Sequence, residues 1–281
     1  MDSLFIFLQR IAPQKLISRI AGVLANSKAR WWKSIFIRRF IRSYGVNMSE
    51  ALEEDPTNYA NFNDFFTREL KADARPITAG KSTLACPADG AVSQIGDIAE
   101  GKIFQAKNHF FTTAELLGGN VKLAEKFEGG KYTTIYLSPK DYHRVHMPVS
   151  GTLESMTFIP GQLFSVNPVT TNNVPGLFAL NERMVALFDT DIGPVAVVMV
   201  GAMIVGSIET VWAGTLKAED GHVSTTEYEN GSISIEKGNE LGRFKLGSTA
   251  ILLFPKNTIN WESKIAAGSA VQMGQKIGSI I

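Results

Sequence analysis

Gly247-Ser248, in the run Phe244-Lys245-Leu246-Gly247-Ser248-Thr249, is the pair of residues whose possible chemistry is most specific in this chain. A serine hydroxyl directly after glycine can attack the preceding carbonyl, because glycine has no Cβ to block the approach and tolerates unusual backbone angles. The ester so formed breaks more readily than the amide. If β-elimination breaks it, Ser248 becomes dehydroalanine, which hydrolyses to a pyruvoyl group at a new N-terminus. That ketone is an electrophilic cofactor made from the chain itself. Gly-Ser is also ordinary turn chemistry, so the surrounding residues must decide between the two readings.

A group that takes the Ser248 proton near neutral pH is best supplied by histidine, above all when a carboxylate fixes its tautomer. Of four histidines, His143 and His146 stand together in Tyr142-His143-Arg144-Val145-His146-Met147-Pro148. His146 is the first choice as base. Asp89, in the Pro/Gly-bounded turn Pro87-Ala88-Asp89-Gly90, is the matching carboxylate, giving Asp, His and Ser in chain order. Blander readings remain open at this level: Asp-Gly as a turn, and a histidine pair as surface or packed core. His143 and His146 could share a metal at their i, i+3 spacing, but no carboxylate or cysteine completes a recognisable zinc set, so no metal is expected.

The elements that must hold these residues are legible around them. Thr249-Ala250-Ile251-Leu252-Leu253-Phe254 is an apolar run ending at Pro255, which reads as a buried strand with Ser248 at its mouth. A rigid element holds a reacting atom more accurately than a loop. Ser138, Pro139 and Asp141 suit the cap and first turn of a single helical turn carrying His143, extended again by His146 before Pro148. Residues 61–70 read as a short helix. The uncharged stretch 192–208 is interrupted by Pro194, Gly201 and Gly206 and rich in β-branched residues, so two buried strands explain it better than a spanning helix.

From residue 82 onward Gly, Val, Thr and Ile dominate, in short apolar runs separated by turn signals. The expected class is therefore α+β: a helical, basic segment over 1–80 and a β-rich catalytic domain over 81–281. Three loosely similar stretches, beginning at Cys86, His146 and Ala267, resemble the Pro-x-x-Gly strand openings and Gly-x-x-Ile-Gly hairpins of sandwich barrels of the biotinyl and lipoyl kind.

Composition narrows the setting. With 281 residues and 44% hydrophobic content the chain can bury a sizeable core. The single cysteine, Cys86, excludes an internal disulfide and fits a reducing compartment; it reads as a small buried hydrophobe. Nine basic residues against the one acid Asp2 leave residues 1–44 at +8, so that a chain of net charge +1 carries −7 elsewhere. Leu4, Phe5, Phe7, Leu8, Ile11, Leu16, Ile17 and Ile20 recur at helical spacing among Arg10, Lys15 and Arg19, and Trp31-Trp32 and Ile35-Phe36-Ile37 repeat the theme beside Lys33, Arg38 and Arg39. Such helices suit an anionic membrane surface better than nucleic acid, although helices packed on the protein's own core share the pattern. The early apolar run is too short, and too soon broken by Arg10, for a signal peptide.

Taken together, Asn61-Phe62-Asn63-Asp64-Phe65-Phe66-Thr67-Arg68, Pro87-Ala88-Asp89-Gly90, the 142–148 histidine run, Gly161-Gln162-Leu163-Phe164-Ser165-Val166-Asn167 and the 244–249 run resemble the phosphatidylserine decarboxylase proenzyme family of bacterial and mitochondrial type, over nearly the whole chain. The resemblance implies an Asp89/His146/Ser248 relay that cuts the chain between Gly247 and Ser248. It implies a β chain 1–247 and an α chain 248–281 that stay together as a heterodimer, with further pairing left open. Ser248 would become the pyruvoyl group and Schiff-base site, taking up the electrons left when CO₂ departs from phosphatidylserine. His143 would position substrate or donate the proton that completes phosphatidylethanolamine, a step of phospholipid biosynthesis. The expected setting is peripheral, on the cytoplasmic side of the cell membrane. Two rival classes differ in simple ways. A serine hydrolase using the same three residues keeps one chain with Ser248 intact; a carrier module needs an accessible hairpin lysine, and only Lys276 is on offer, without a flanking Met-Lys pattern.

Overall fold

In the computed structural model, which describes residues 2–203, 207–216, 221–245 and 248–281, the apolar run after residue 248 is the strand Ser248–Phe254, buried along its whole length. It pairs antiparallel with Lys131–Leu137 on one side and with Val195–Val200 on the other. Successive side chains of a strand point to opposite faces. Ala250, Leu252 and Phe254 accordingly enter one core with Val197, Met199 and Phe188, while Ile251 and Leu253 enter a second with Val198, Val185 and Leu187. Both faces are covered, which explains why the run is unbroken rather than alternating.

These three strands sit in the middle of a nine-stranded antiparallel sheet. Arg183–Asp189, Gly151–Ile159 and Ser224–Glu227 extend it on one side, with Ser234–Ile235 also on Gly151–Ile159; Gly90–Asp97 and Ala270–Val271 extend it on the other. A four-stranded sheet joins Gly214–Thr215, Ile208–Thr210, Glu240–Phe244 and Arg144–His146, and a three-stranded one joins Thr83–Ala85, Lys276–Ile280 and Ile259–Trp261. The α+β class is as expected, but the barrel-like character takes the form of open antiparallel sheets sharing cores; among the described residues none closes on itself. The turns opening three strands converge: Cys86 N–H donates to Gln275 O at 2.7 Å, Gly274 N–H to Cys86 O at 2.9 Å, and His146 N–H to Pro87 O at 2.8 Å. Of the stretch 192–208, Val195–Val200 is a strand and Ile208 begins another; Ile204, Val205 and Gly206 lie outside the described residues.

The N-terminal part is helical: α1 (Asp2–Ile11), α2 (Gln14–Ala25), α3 (Arg30–Tyr44) and α4 (Phe62–Phe66). The helix expected over 61–70 is thus a single short turn and a half. Asn61 caps it by accepting from Asp64 N–H at 2.9 Å, and at its other end Thr67 turns its hydroxyl back onto Asn63 O at 2.9 Å. Phe40 of α3 meets Phe62, Phe65 and Phe66 of α4 with ring centroids 5.0, 6.0 and 5.9 Å apart, forming a small aromatic core.

Helices α1 and α2 face the opposite way from ordinary core-packed helices. Their inward side includes glutamines: Gln9 accepts from Ser165 N–H at 2.8 Å and donates to Thr170 Oγ1 at 3.1 Å, and Gln14 accepts from Leu163 N–H at 2.7 Å. Ile6 joins the second core. Leu4, Phe7, Leu8, Ile11, Leu16, Ile20 and Val23 are instead exposed, as are Trp31 and Ile35 of α3.

Candidate active site

Ser248 occupies the first rung of the central strand, opposite Leu137. Its hydroxyl is fully buried and has no hydrogen-bond partner among the described residues, and the same is true of Thr249 Oγ1. Buried polar atoms are nearly always paired, so the idle Ser248 hydroxyl at the strand end calls for a functional explanation; Thr249 Oγ1, one residue on, faces the other side of the sheet. Gly247 and Leu246, and with them the Gly247–Ser248 peptide expected to be cut, lie outside the described residues.

Immediately beyond Leu137 the chain makes the turn that positions both histidines. The single helical turn expected at 138–143 does not form. Asp141 instead accepts from both the N–H and the hydroxyl of Ser138, each at 2.7 Å, while its own N–H returns to Ser138 O at 2.9 Å. With the cap closed on itself, the chain runs straight into the strand Arg144–His146.

His143 is wholly buried, its ring 4.0 Å from that of Phe66. Nδ1 lies 2.9 Å from Asp141 O. A carbonyl can only accept, so Nδ1 carries the proton and Nε2 is left as a bare lone pair, with no partner among the described residues. Burial, aided by the field of Arg68, pushes this imidazole down to about 3 despite the bond to Asp141, and it is neutral at working pH. Its carbonyl accepts from Phe244 N–H at 3.0 Å, which ties the turn to the strand leading toward Ser248.

His146 is held differently. Nδ1 donates to Gly238 O at 2.8 Å, so Nε2 is again the basic atom, but here Tyr142 O–H occupies it at 3.0 Å. Burial is the main cause that lowers the pKa of His146, opposed by the Gly238 bond and by Glu240 and Asp89. Arg75, Arg144, Glu240, Tyr142 and Met273 line a cleft of about 340 Å³ with it.

Asp89 is buried on the turn whose Pro87 carbonyl holds His146 N–H. Its carboxylate bonds neither histidine in this structure. Arg75 Nε reaches Oδ1 at 2.9 Å and Nη2 reaches Oδ2 at 2.6 Å, and Met273 N–H donates to Oδ1 at 2.8 Å. The three residues singled out from sequence thus sit on connected segments: the Asp89 turn is bonded to the His146 strand, which pairs with Glu240–Phe244, just upstream of Ser248. They are not linked side chain to side chain. Sequence reasoning missed Arg75 and Tyr142, which occupy the polar atoms of Asp89 and His146, and Phe66, which packs on His143. Tyr142 lies inside the histidine run, so its position four residues before His146 was the one available signal. Cys86 is buried, with its thiol pushed up to about 12 by desolvation, and is a packed side chain as expected.

The sequence model of the family described as "Phosphatidylserine decarboxylase" matches residues 62–279, and a second, described as "PSD", matches residues 4–45. The chain is similar to the phosphatidylserine decarboxylase proenzyme of Saccharophagus degradans, 58% identical over 99% of this chain and 98% of the relative. It is also similar to the proteins of that name from Pseudomonas putida strain W619, 58% identical over 97% and 96%, and Psychromonas ingrahamii, 55% identical over 99% and 98%.

Proposed function

This chain belongs to the phosphatidylserine decarboxylase family, and on that premise we propose that it converts phosphatidylserine to phosphatidylethanolamine and CO₂ with a pyruvoyl group made from its own Ser248. The observation that carries the reading is the buried, unpartnered Ser248 hydroxyl at the mouth of a strand held on both edges. Replacing that hydroxyl by a ketone forfeits no existing hydrogen bond, so the site fits the group. When formed, the pyruvoyl ketone supplies an electron sink for the carbon that loses CO₂.

The chain's own residues carry the rest. For self-cleavage between Gly247 and Ser248, His146 Nε2 takes the Ser248 proton once Tyr142 O–H has moved off it, and Asp89 steadies the resulting positive charge. In the later reaction His143 Nε2, a bare lone pair in a buried pocket, positions the substrate headgroup by accepting a hydrogen bond from its amine. The products 1–247 and 248–281 remain together through the pairing of Ser248–Phe254 with both neighbours. The outward Leu4, Phe7, Leu8, Ile11 and Trp31, set among nine basic residues, dock the protein peripherally on an anionic membrane where the lipid headgroup lies. No described helix is long and apolar enough to cross a membrane.

Intact mass tests the reading. The purified protein is expected as two chains, the smaller beginning with a pyruvoyl group, and Ser248→Ala as one. His146→Ala is expected to stay uncut, while His143→Ala is cut but forms no phosphatidylethanolamine. A wild-type protein remaining a single unmodified chain overturns the proposal, and the reverse pattern for the two histidines moves the base from His146 to His143.

A further inference from the structure

The turn that carries His143 also touches a cation with no counter-charge. Arg68, two residues beyond α4, is 4% exposed. Its Nη2 donates to Lys140 O at 3.1 Å and its guanidinium lies 5.6 Å from the centre of the Phe65 ring. Among the described residues Nε and Nη1 have no partner, so at least three of its five N–H bonds lack an acceptor. Among the described residues no carboxylate pairs with it; Tyr59, Asp89, Asp141 and Glu50 act on it only through their fields. Burying an uncompleted guanidinium is costly unless something else completes it.

The place of Arg68 says what that something is. Lys140 and Asp141 are adjacent in the turn after Leu137; one carbonyl holds Arg68, the other holds His143 Nδ1, and Leu137 itself pairs with Ser248. Phe66, two residues before Arg68, packs on the His143 ring. Arg68 Nε and Nη1, His143 Nε2 and Ser248 Oγ are thus four buried atoms around one turn with no hydrogen-bond partner among the described residues. Resting on the lipid-decarboxylase reading above, we propose that Arg68 holds the phosphodiester of the bound phospholipid, placing the serine headgroup against Ser248 and His143.

The phosphodiester stands one ester oxygen and one methylene from the reacting Cα, a span matched to neighbouring side chains. The other anion of the substrate is its carboxylate, and a guanidinium there would favour the ground state, because negative charge leaves that group as CO₂ departs. The phosphodiester keeps its charge throughout, so a cation on it binds without opposing the chemistry.

The test uses the processed two-chain enzyme with two non-reacting probes. Dihexanoyl phosphatidylmethanol carries the phosphodiester but neither amine nor carboxylate; dihexanoylglycerol lacks all three. Arg68→Gln is expected to weaken phosphatidylmethanol binding by about ten- to hundredfold, as for loss of charged hydrogen bonds, with Arg68→Lys between it and wild type and dihexanoylglycerol unaffected. The KM for dihexanoyl phosphatidylserine should rise by a comparable factor with kcat nearly constant. Unchanged phosphatidylmethanol binding in both variants, or a fall in kcat at constant KM, overturns the assignment. If Arg68→Gln does not process, Arg68→Lys and the shift of the Arg68 Nε–H resonance on adding phosphatidylmethanol to wild type decide the matter, an unshifted resonance counting against it. Arg68-dependent phosphatidylmethanol binding by a wild type that makes no phosphatidylethanolamine would support this site while sinking the decarboxylase reading.

Discussion

At the scale of single residues, the two histidines show how one sequence run can produce two different groups. Both use Nδ1 to bond a backbone carbonyl, leaving Nε2 as the basic atom, but His146 has a phenol on it and His143 has nothing. The burial of His143 has a consequence for stability. Folded, it titrates at about 3; unfolded, near 6.5. Between those values the unfolded chain binds the extra proton, so its contribution is complete above about pH 6.5 and is lost as pH falls toward 3. The slope approaches about 1.4 kcal/mol per pH unit for one such group, and His146 acts in the same direction. Urea unfolding of the uncut Ser248→Ala protein at pH 7, 6 and 5 should show the decline, and adding His143→Gln should flatten it. An identical slope with and without His143 would refute the account.

At the scale of elements, α1 and α2 are held by polar contacts and present their greasy side outward. Changing Leu4, Phe7 and Ile11 together to Ser therefore should leave self-cleavage intact, since none of the three is buried. Sedimentation with anionic vesicles should fall at least about tenfold, each side chain giving up on the order of 1 kcal/mol or more of apolar transfer, and residual binding should weaken with salt. Vesicle binding equal to wild type would place the docking surface elsewhere. The periodicity of 4–20 was legible as helical from sequence, but not its direction, because a repeat of Leu and Ile reads the same whether it faces inward or outward; Gln9 and Gln14 fix the inward side by bonding 163–170, which leaves Leu4, Leu8 and Ile11 exposed. The strand after Ser248 was legible because double-sided burial leaves no polar interruption. The turn at 138–143 was misread, since Ser-Pro-x-Asp suits both a helix start and a closed turn, and only the strand that follows decides. Asp89, His146 and Ser248 stood out by residue type. Arg75 did not, because nothing in a local window shows an arginine 14 positions away closing on Asp89.

At the scale of the whole molecule, the central position of Ser248–Phe254 sets a direction in time. While the chain is continuous, this strand is delivered between Lys131–Leu137 and Val195–Val200 by covalent connection to residues already in place. After the proposed cut, the same strand would belong to a separate segment, residues 248–281. Once unfolded, that segment must find its slot as a free partner, threading between two strands that would meanwhile lie exposed and prone to pair wrongly. Ser248→Ala, diluted out of denaturant, is therefore expected to regain its native spectrum at a rate independent of protein concentration. The matured two-chain protein should recover slowly, less completely, and more slowly still on dilution. Equal, concentration-independent recovery of both would contradict this. On the proposed self-cleavage the protein would assemble as one polymer and survive as two, its later existence resting on a kinetic trap: the act that arms it would also erase the route by which it was built.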